Sequence, residues 1–197
     1  MDRKQFLCRT LQLGLGSCSF ATLGSVAGGL AEAAPEEKGA AAPPVPDELT
    51  VARGERDFVR NWVGDLLDGA EAELPRALQV KLMEACGRGC FRRHEFKRAI
   101  AEQGRGDVDR LIAAYRKNFE VWRDGDAVHV RYGEVSSRCY CPVAQERPGK
   151  TNDLHCECTR ATHQSIFETA LGRPVEVEIL ETLRRGGRTC HFRARLA

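Results

Sequence analysis

An excess of charge of one sign is missing from this chain: 30 basic residues stand against 28 acidic ones in 197, a net charge of +2. Binding to a polyanion rests on a marked basic excess, so nucleic acid loses its main electrostatic support as a partner. Long hydrophobic runs are missing too; no stretch of 18 or more apolar residues is free of breakers, which argues against a conventional membrane-spanning helix. Several chemical motifs are also absent. There is no Cys-x-x-Cys-His for covalent haem, His94-Glu95 is followed by Arg98 where a zincin would need histidine, and Gly104-Arg105-Gly106 lacks the strand and helix context of a phosphate loop. Aromatic residues make up only 7%, and the hydrophobic share of 42% is ordinary for one globular domain. The excess is in cysteine, of which there are nine.

Residues 1–33 read as a signal peptide. Arg3, Lys4 and Arg9 give a positive start, Leu11 to Leu30 is apolar and uncharged, and Ala31-Glu32-Ala33 offers small residues for cleavage. Asp2-Arg3-Lys4-Gln5-Phe6-Leu7 resembles a twin-arginine export signal with lysine in place of the second arginine. A periplasmic or otherwise exported protein is therefore expected, with the membrane met only during export. Cleavage would leave seven of the nine cysteines. Residues 34–48, with four prolines and three consecutive alanines, form a flexible linker that cannot bury a core.

Residues 49–197 carry the domain. Phe58, Val59, Trp62, Val63, Leu66 and Leu67 recur at helical spacing, and a second helix is expected from Arg76 to Ala85, ended by Gly87 and Gly89. Two more are expected over Arg92–Glu102 and Val108–Asn118. The period then falls to two: Phe119 to Trp122, an Asp-Gly turn, and Val128 to Tyr132 make a hairpin. An amphipathic helix over Thr162–Leu171 stops at Gly172, and alternating Val175, Val177, Ile179 and Cys190, Phe192, Ala194, Leu196 flank a Gly186-Gly187 turn. The fold class is α+β, N-terminal helices followed by a small antiparallel sheet with a packed helix.

Six cysteines are the candidate site. Cys86 and Cys90 share one face if their helix continues through the glycines. Cys139-Tyr140-Cys141 and Cys156-Glu157-Cys158 would each present two thiols on one side of extended backbone, about 7 Å apart. Two such pairs facing one another supply four soft ligands for a metal, which suits zinc, cuprous copper or an iron–sulfur cluster. The dipole of the helix that follows would lower the pKa of Cys156 and Cys158. Disulfides across the two motifs are the competing use, favoured by export. Cys190 alternates with Phe192 and Leu196, as a buried structural thiol would. His155 and His163 stand close enough in sequence to join a metal site or to activate a thiol, although a hydrogen-bonded core histidine is the commoner outcome.

From His163 to Leu196 the chain, with Phe167-Glu168, Leu171-Gly172-Arg173-Pro174-Val175-Glu176-Val177, Gly186-Gly187 and Cys190-His191-Phe192, resembles the end of the 4-vinyl-reductase domain. Taken with Cys86-Gly87-x-x-Cys90 and the two Cys-x-Cys pairs, it is similar over Arg56–Leu196 to a cysteine-rich bacterial family described as relatives of L-2-amino-thiazoline-4-carboxylate hydrolase. The resemblance implies a vinyl-reductase-like fold, akin to vesicle-tethering subunits, that binds small hydrophobic molecules and in some sensors holds zinc with cysteines. On that pattern Cys156 and Cys190 match two zinc positions, while Ile179 and Thr182 stand where the sensors have Glu and Cys. Cys158, Cys139 or Cys141 would then complete the shell. The expectation is an exported domain whose cysteines bind a metal, zinc first, beside a pocket for a small hydrophobic ligand. A thiol- or metal-dependent hydrolase or redox enzyme, and a disulfide-stapled structural domain, are the alternatives.

Overall fold

The computed structural model describes residues 47–196, so the expected signal peptide and all but the last two residues of the expected linker lie outside the described residues. Those two begin the first helix instead. Asp47 is its N-cap, with Oδ1 accepting from the Thr50 amide at 2.9 Å, and α1 spans Glu48–Glu73. After Leu74-Pro75 come α2 (Arg76–Arg93), α3 (Glu95–Gln103) and α4 (Val108–Tyr115), the last capped by Asp107. The hairpin β1 (Glu120–Asp124) and β2 (Ala127–Arg131) turns at Gly125, whose φ of +58° suits glycine. A long connection leads to α5 (His155–Leu171), ended by left-handed Gly172; β3 (Glu176–Glu181), a short 3-10 turn (Leu183–Arg185) and β4 (His191–Arg195) complete the chain.

The α+β class is as the sequence indicates. The four strands form one antiparallel sheet in the order β1-β2-β4-β3. Its register places Val121, Val130, Phe192 and Ile179 in one row and Val128, Ala194 and Val177 in the next, all on one face. That face packs with Leu111, Ile112 and Tyr115 of α4 and Ile166 and Phe167 of α5 to form the main core.

Of the helix boundaries that differ from the sequence reading, the end of α2 and the start of α5 shape the site. α2 does not end at Gly87 and Gly89 but continues to Arg93. Glycine costs a helix about 1 kcal/mol relative to alanine, and here tertiary packing overrides that preference. A Cβ on Gly87 would lie 2.4 Å from the Cys158 carbonyl oxygen and 2.8 Å from the Ala161 Cβ, so this glycine is the point where α5 crosses α2 nearly backbone to backbone. Because α2 runs on, α3 starts at Glu95 rather than Arg92 after a single extended residue, His94. α4 also stops earlier than expected, at Tyr115.

The second difference is α5, which starts at His155, a full two turns before Thr162. Asp153 supports the early start: its Oδ1 accepts from the His155 amide at 2.9 Å, while Oδ2 accepts from Arg184 Nε and Nη2 at 2.9 and 2.6 Å. Arg184 also donates to the carbonyls of Ala144, Arg147 and Pro148 at 2.5, 3.0 and 3.1 Å. One buried guanidinium thus fastens the β2–α5 connection, which carries Cys139 and Cys141, to the β3–β4 turn and the start of α5.

Candidate functional site

The α2–α5 crossing brings Cys90 and Cys158 to one place, and the β2–α5 connection lays Cys139, Tyr140 and Cys141 over it. The result is a cavity of about 600 Å³ between these elements. Six cysteines line it: Cys86, Cys90, Cys139, Cys141, Cys158 and Cys190. The rest of the wall is mainly apolar, with Phe96, Ile100, Phe119, Tyr132, Val143 and Ile166. Cys86 is exposed at the rim; Cys90, Cys139, Cys141, Cys158 and Cys190 are half-buried.

Cys156 is the exception among the six expected site cysteines. Cys156 and Cys158 lie in the first turn of α5 rather than in extended backbone, so two residues of spacing turn their side chains to different sides of the helix. Cys158 faces the cavity; Cys156 is buried on the other side, with its thiol 3.1 Å from Thr182 Oγ1. The expected same-side pair is therefore not formed. Cys190, expected to be enclosed in the core, instead reaches the cavity wall.

All seven described cysteines are unpaired, and burial governs the acidity of four of them. It pushes Cys158 up to about 12, helped by the nearby thiols of Cys90, Cys141 and Cys86, and raises Cys190 to about 11. Cys141 and Cys156 move the same way for the same first reason. The lowering expected from the α5 dipole is thus overcome, and these thiols stay protonated. Lys97 Nζ approaches Cys90 Sγ at 2.8 Å. No hydrogen bond joins a cysteine to a histidine among the described residues, so the Cys–His activation considered from the sequence is not set up. Nor are three or more His, Cys, Asp or Glu side chains among them arranged to hold a metal ion. The thiols have the right softness for zinc and converge on one space, but as they stand they do not form a coordination shell.

Of the three histidines that border the cavity, His163 and His155 are buried in opposite condition. His163 is fully satisfied: Nδ1 lies 3.1 Å from the Tyr115 hydroxyl and Nε2 2.9 Å from that of Tyr132. Burial lowers its pKa to about 3, so the ring is neutral. Tyr115 is wholly buried, and donating to Nδ1 is the arrangement that leaves its proton paired. Nε2–H then donates to the Tyr132 oxygen, and the Tyr132 proton is available to a group in the cavity. His155 is only 6% exposed, yet neither of its ring nitrogens has a hydrogen-bond partner. Burial and then the Arg184 charge lower its pKa to about 4, so it too is neutral. Tyr132 and Lys97 were not singled out from the sequence. Tyr132 had a signal, since it continues the Val128–Val130 alternation onto the inward face; Lys97 had none.

No protein-family model matches the chain, and no curated protein matches its sequence. Among solved structures it is similar to a trafficking protein particle complex subunit 3 from Naegleria fowleri covalently bound to palmitic acid, with 13% identity, a TM-score of 0.48, and coverage of 74% of this chain and 96% of that one. It is also similar to a vinyl-4-reductase family protein from Methanocaldococcus jannaschii, with 10% identity, a TM-score of 0.35, and coverage of 79% and 83%. A vinyl-4-reductase protein thus stands among its structural neighbours, a likeness of backbone course that carries no residue's role across.

Proposed function

We propose that the domain binds a small apolar molecule bearing one hydrogen-bond acceptor, held in the cysteine-lined cavity. The observation that carries this reading is the cavity itself: about 600 Å³, apolar over most of its wall, with the Tyr132 hydroxyl held at its wall by the Tyr115–His163 chain. Binding sites for small molecules have this character, a mostly apolar enclosure with a few placed polar groups. Cys141, Cys158 and Cys190, whose protons burial holds, contribute soft, polarizable surface and no charge to desolvate. Titration with Nile red, a neutral apolar dye with a carbonyl acceptor, tests it. Saturable one-to-one binding with a blue-shifted emission is expected, and Tyr132→Phe should weaken it about threefold to tenfold, the worth of one hydrogen bond. Absence of saturable binding sinks the reading.

Zinc is the second reading, and the shared cavity wall of Cys86, Cys90, Cys141 and Cys158 favours it. The metal would have to draw these thiols closer and, at Cys141 and Cys158, displace protons that burial holds. Copper or an iron–sulfur cluster would use the same donors and would colour the protein. Metal analysis of protein purified without chelator tests this directly; stoichiometric zinc lost on replacing Cys90 and Cys158 by serine supports it, and metal-free protein rejects it. Export to the periplasm accompanies either reading as an expectation from residues 1–33.

A further inference from the structure

Lys97 Nζ stands 2.8 Å from Cys90 Sγ, closer than a hydrogen bond to sulfur requires. An N–H···O bond is about 2.9 Å long and sulfur exceeds oxygen by roughly 0.3 Å in radius, so an ordinary N–H···S bond would be about 3.3 Å. Cys156 Sγ keeps 3.1 Å from Thr182 Oγ1, although oxygen is a smaller atom than nitrogen. Nor does an acid hold Lys97 in place. No carboxylate pairs with it among the described residues, and no aspartate or glutamate lines the cavity that it shares with Cys90. A half-buried ammonium ordinarily finds an acid; this one faces a thiol.

The separation matches a single oxygen atom bonded to both. With bonds of about 1.45 Å to nitrogen and 1.7 Å to sulfur and a bent angle at oxygen, an N–O–S bridge spans roughly 2.6–2.7 Å. We propose that Lys97 and Cys90 are a modification site, joined through such a bridge in a reversible cross-link made with dioxygen. Lysine ammonium, thiol and O₂ give Nζ–O–Sγ, one water and one proton. Two N–H bonds, the S–H bond and the O–O bond break, while N–O and O–S bonds form; nitrogen and sulfur each lose two electrons and dioxygen gains the four. Both ends are already fixed for this step. Cys90 is in the last turn of α2 and Lys97 in the first turn of α3, with only His94 between the helices, so no rearrangement precedes bond formation. Dioxygen is small and apolar, and the mainly apolar cavity admits it. Among the described residues no other thiol has an amine as hydrogen-bond partner. The bridge ties α2 to α3 along the cavity wall, removes the Lys97 charge and takes Cys90 out of any metal shell. It stands whether or not the cavity holds an apolar ligand.

The test is peptide mapping of the full chain, held in oxygen-saturated buffer without reductant and then digested with trypsin. A bridged Lys97 resists cleavage, so residues 89–92 should be recovered joined to residues 94–98, heavier than the two separate peptides together by about 14 Da, one oxygen less two hydrogens. Excess dithiothreitol supplies four electrons per bridge and should return the two peptides separately. Lys97→Met and Cys90→Ser should each abolish the joined species, and Cys158→Ser should retain it. Separate peptides alone, after exposure to oxygen, overturn the proposal and leave an ordinary hydrogen bond. So does Cys90 recovered in a disulfide or as a sulfinic acid with Lys97 unmodified. The digest of the unsubstituted chain decides the matter by itself, so a variant that fails to fold does not leave it open.

Discussion

Gly87→Ala and Gly69→Ala make the same chemical change inside two helices, yet the structure expects opposite results. In an open helical position alanine gains about 0.5–1 kcal/mol over glycine. Gly69 is such a position, since nothing lies within 4 Å of an added Cβ. At Gly87 the added Cβ would meet the Cys158 carbonyl oxygen at 2.4 Å, the Ala161 Cβ at 2.8 Å and the Thr162 amide nitrogen at 3.0 Å. None of these is the tip of a flexible side chain, so α2 and α5 must separate. Overpacking of this kind costs about 1–3 kcal/mol. Separation also stretches the bond from Thr162 Oγ1 to the Gly87 carbonyl, now 3.2 Å, for about another 1 kcal/mol. After subtracting the propensity gain, Gly87→Ala should lose about 1–3 kcal/mol, and the two variants should differ by about 2–4 kcal/mol. Urea unfolding followed by circular dichroism resolves this, because a slope of about 1–3 kcal/mol/M converts the difference into a midpoint shift of about 1 M or more. Nile red affinity should fall with Gly87→Ala alone, as Cys90 and Cys158 move apart. Equal stabilisation by both alanines would refute the close crossing and with it the basis of the cavity.

Two further expectations concern the supports of the site. Arg184→Met strips a buried guanidinium from Asp153, whose side chain is 4% exposed, and should cost about 3–5 kcal/mol, with protease cleavage appearing within residues 133–153; a loss below 1 kcal/mol would show that the connection is held otherwise. His163 and His155, with folded pKa values near 3 and 4, bind fewer protons folded than unfolded, where the value is about 6.5. Their contribution is therefore complete above about pH 6.5 and is lost as pH falls toward the folded values, about 2 kcal/mol for each between pH 7 and pH 5. Urea midpoints at those two pH values should show the drop, and His163→Phe should remove about half of it. A flat profile would mean that these rings are not held neutral by burial.

Alternation and helical spacing made most of the fold legible. Val175, Val177 and Ile179 against Cys190, Phe192 and Ala194 announce the closing hairpin, and the Asp-Gly turn announces the first. What failed was decided by residues distant in sequence. Gly87 reads locally as a helix stop, and only the approach of Cys158 and Ala161 explains why the helix passes through it. The early start of α5 depends on Asp153, itself held by Arg184 across the fold. That one shift turned Cys156 away from Cys158 and undid the facing-pair geometry. The cysteines as a group were legible, since five of the six expected reach the cavity. Tyr132 and its histidine support were not, because a hydrogen bond between residues 31 apart leaves no local pattern.

The most direct measurement of the central claim is the alkylation rate of each cysteine, followed by mass spectrometry of the native chain with and without saturating Nile red. If one cavity joins the thiols and holds the ligand, Cys90, Cys139, Cys141, Cys158 and Cys190 should all be protected together, by tenfold or more, while Cys156 reacts at an unchanged slow rate. Dye that binds without protecting them, or that protects Cys156 equally, would contradict a ligand site in that cavity.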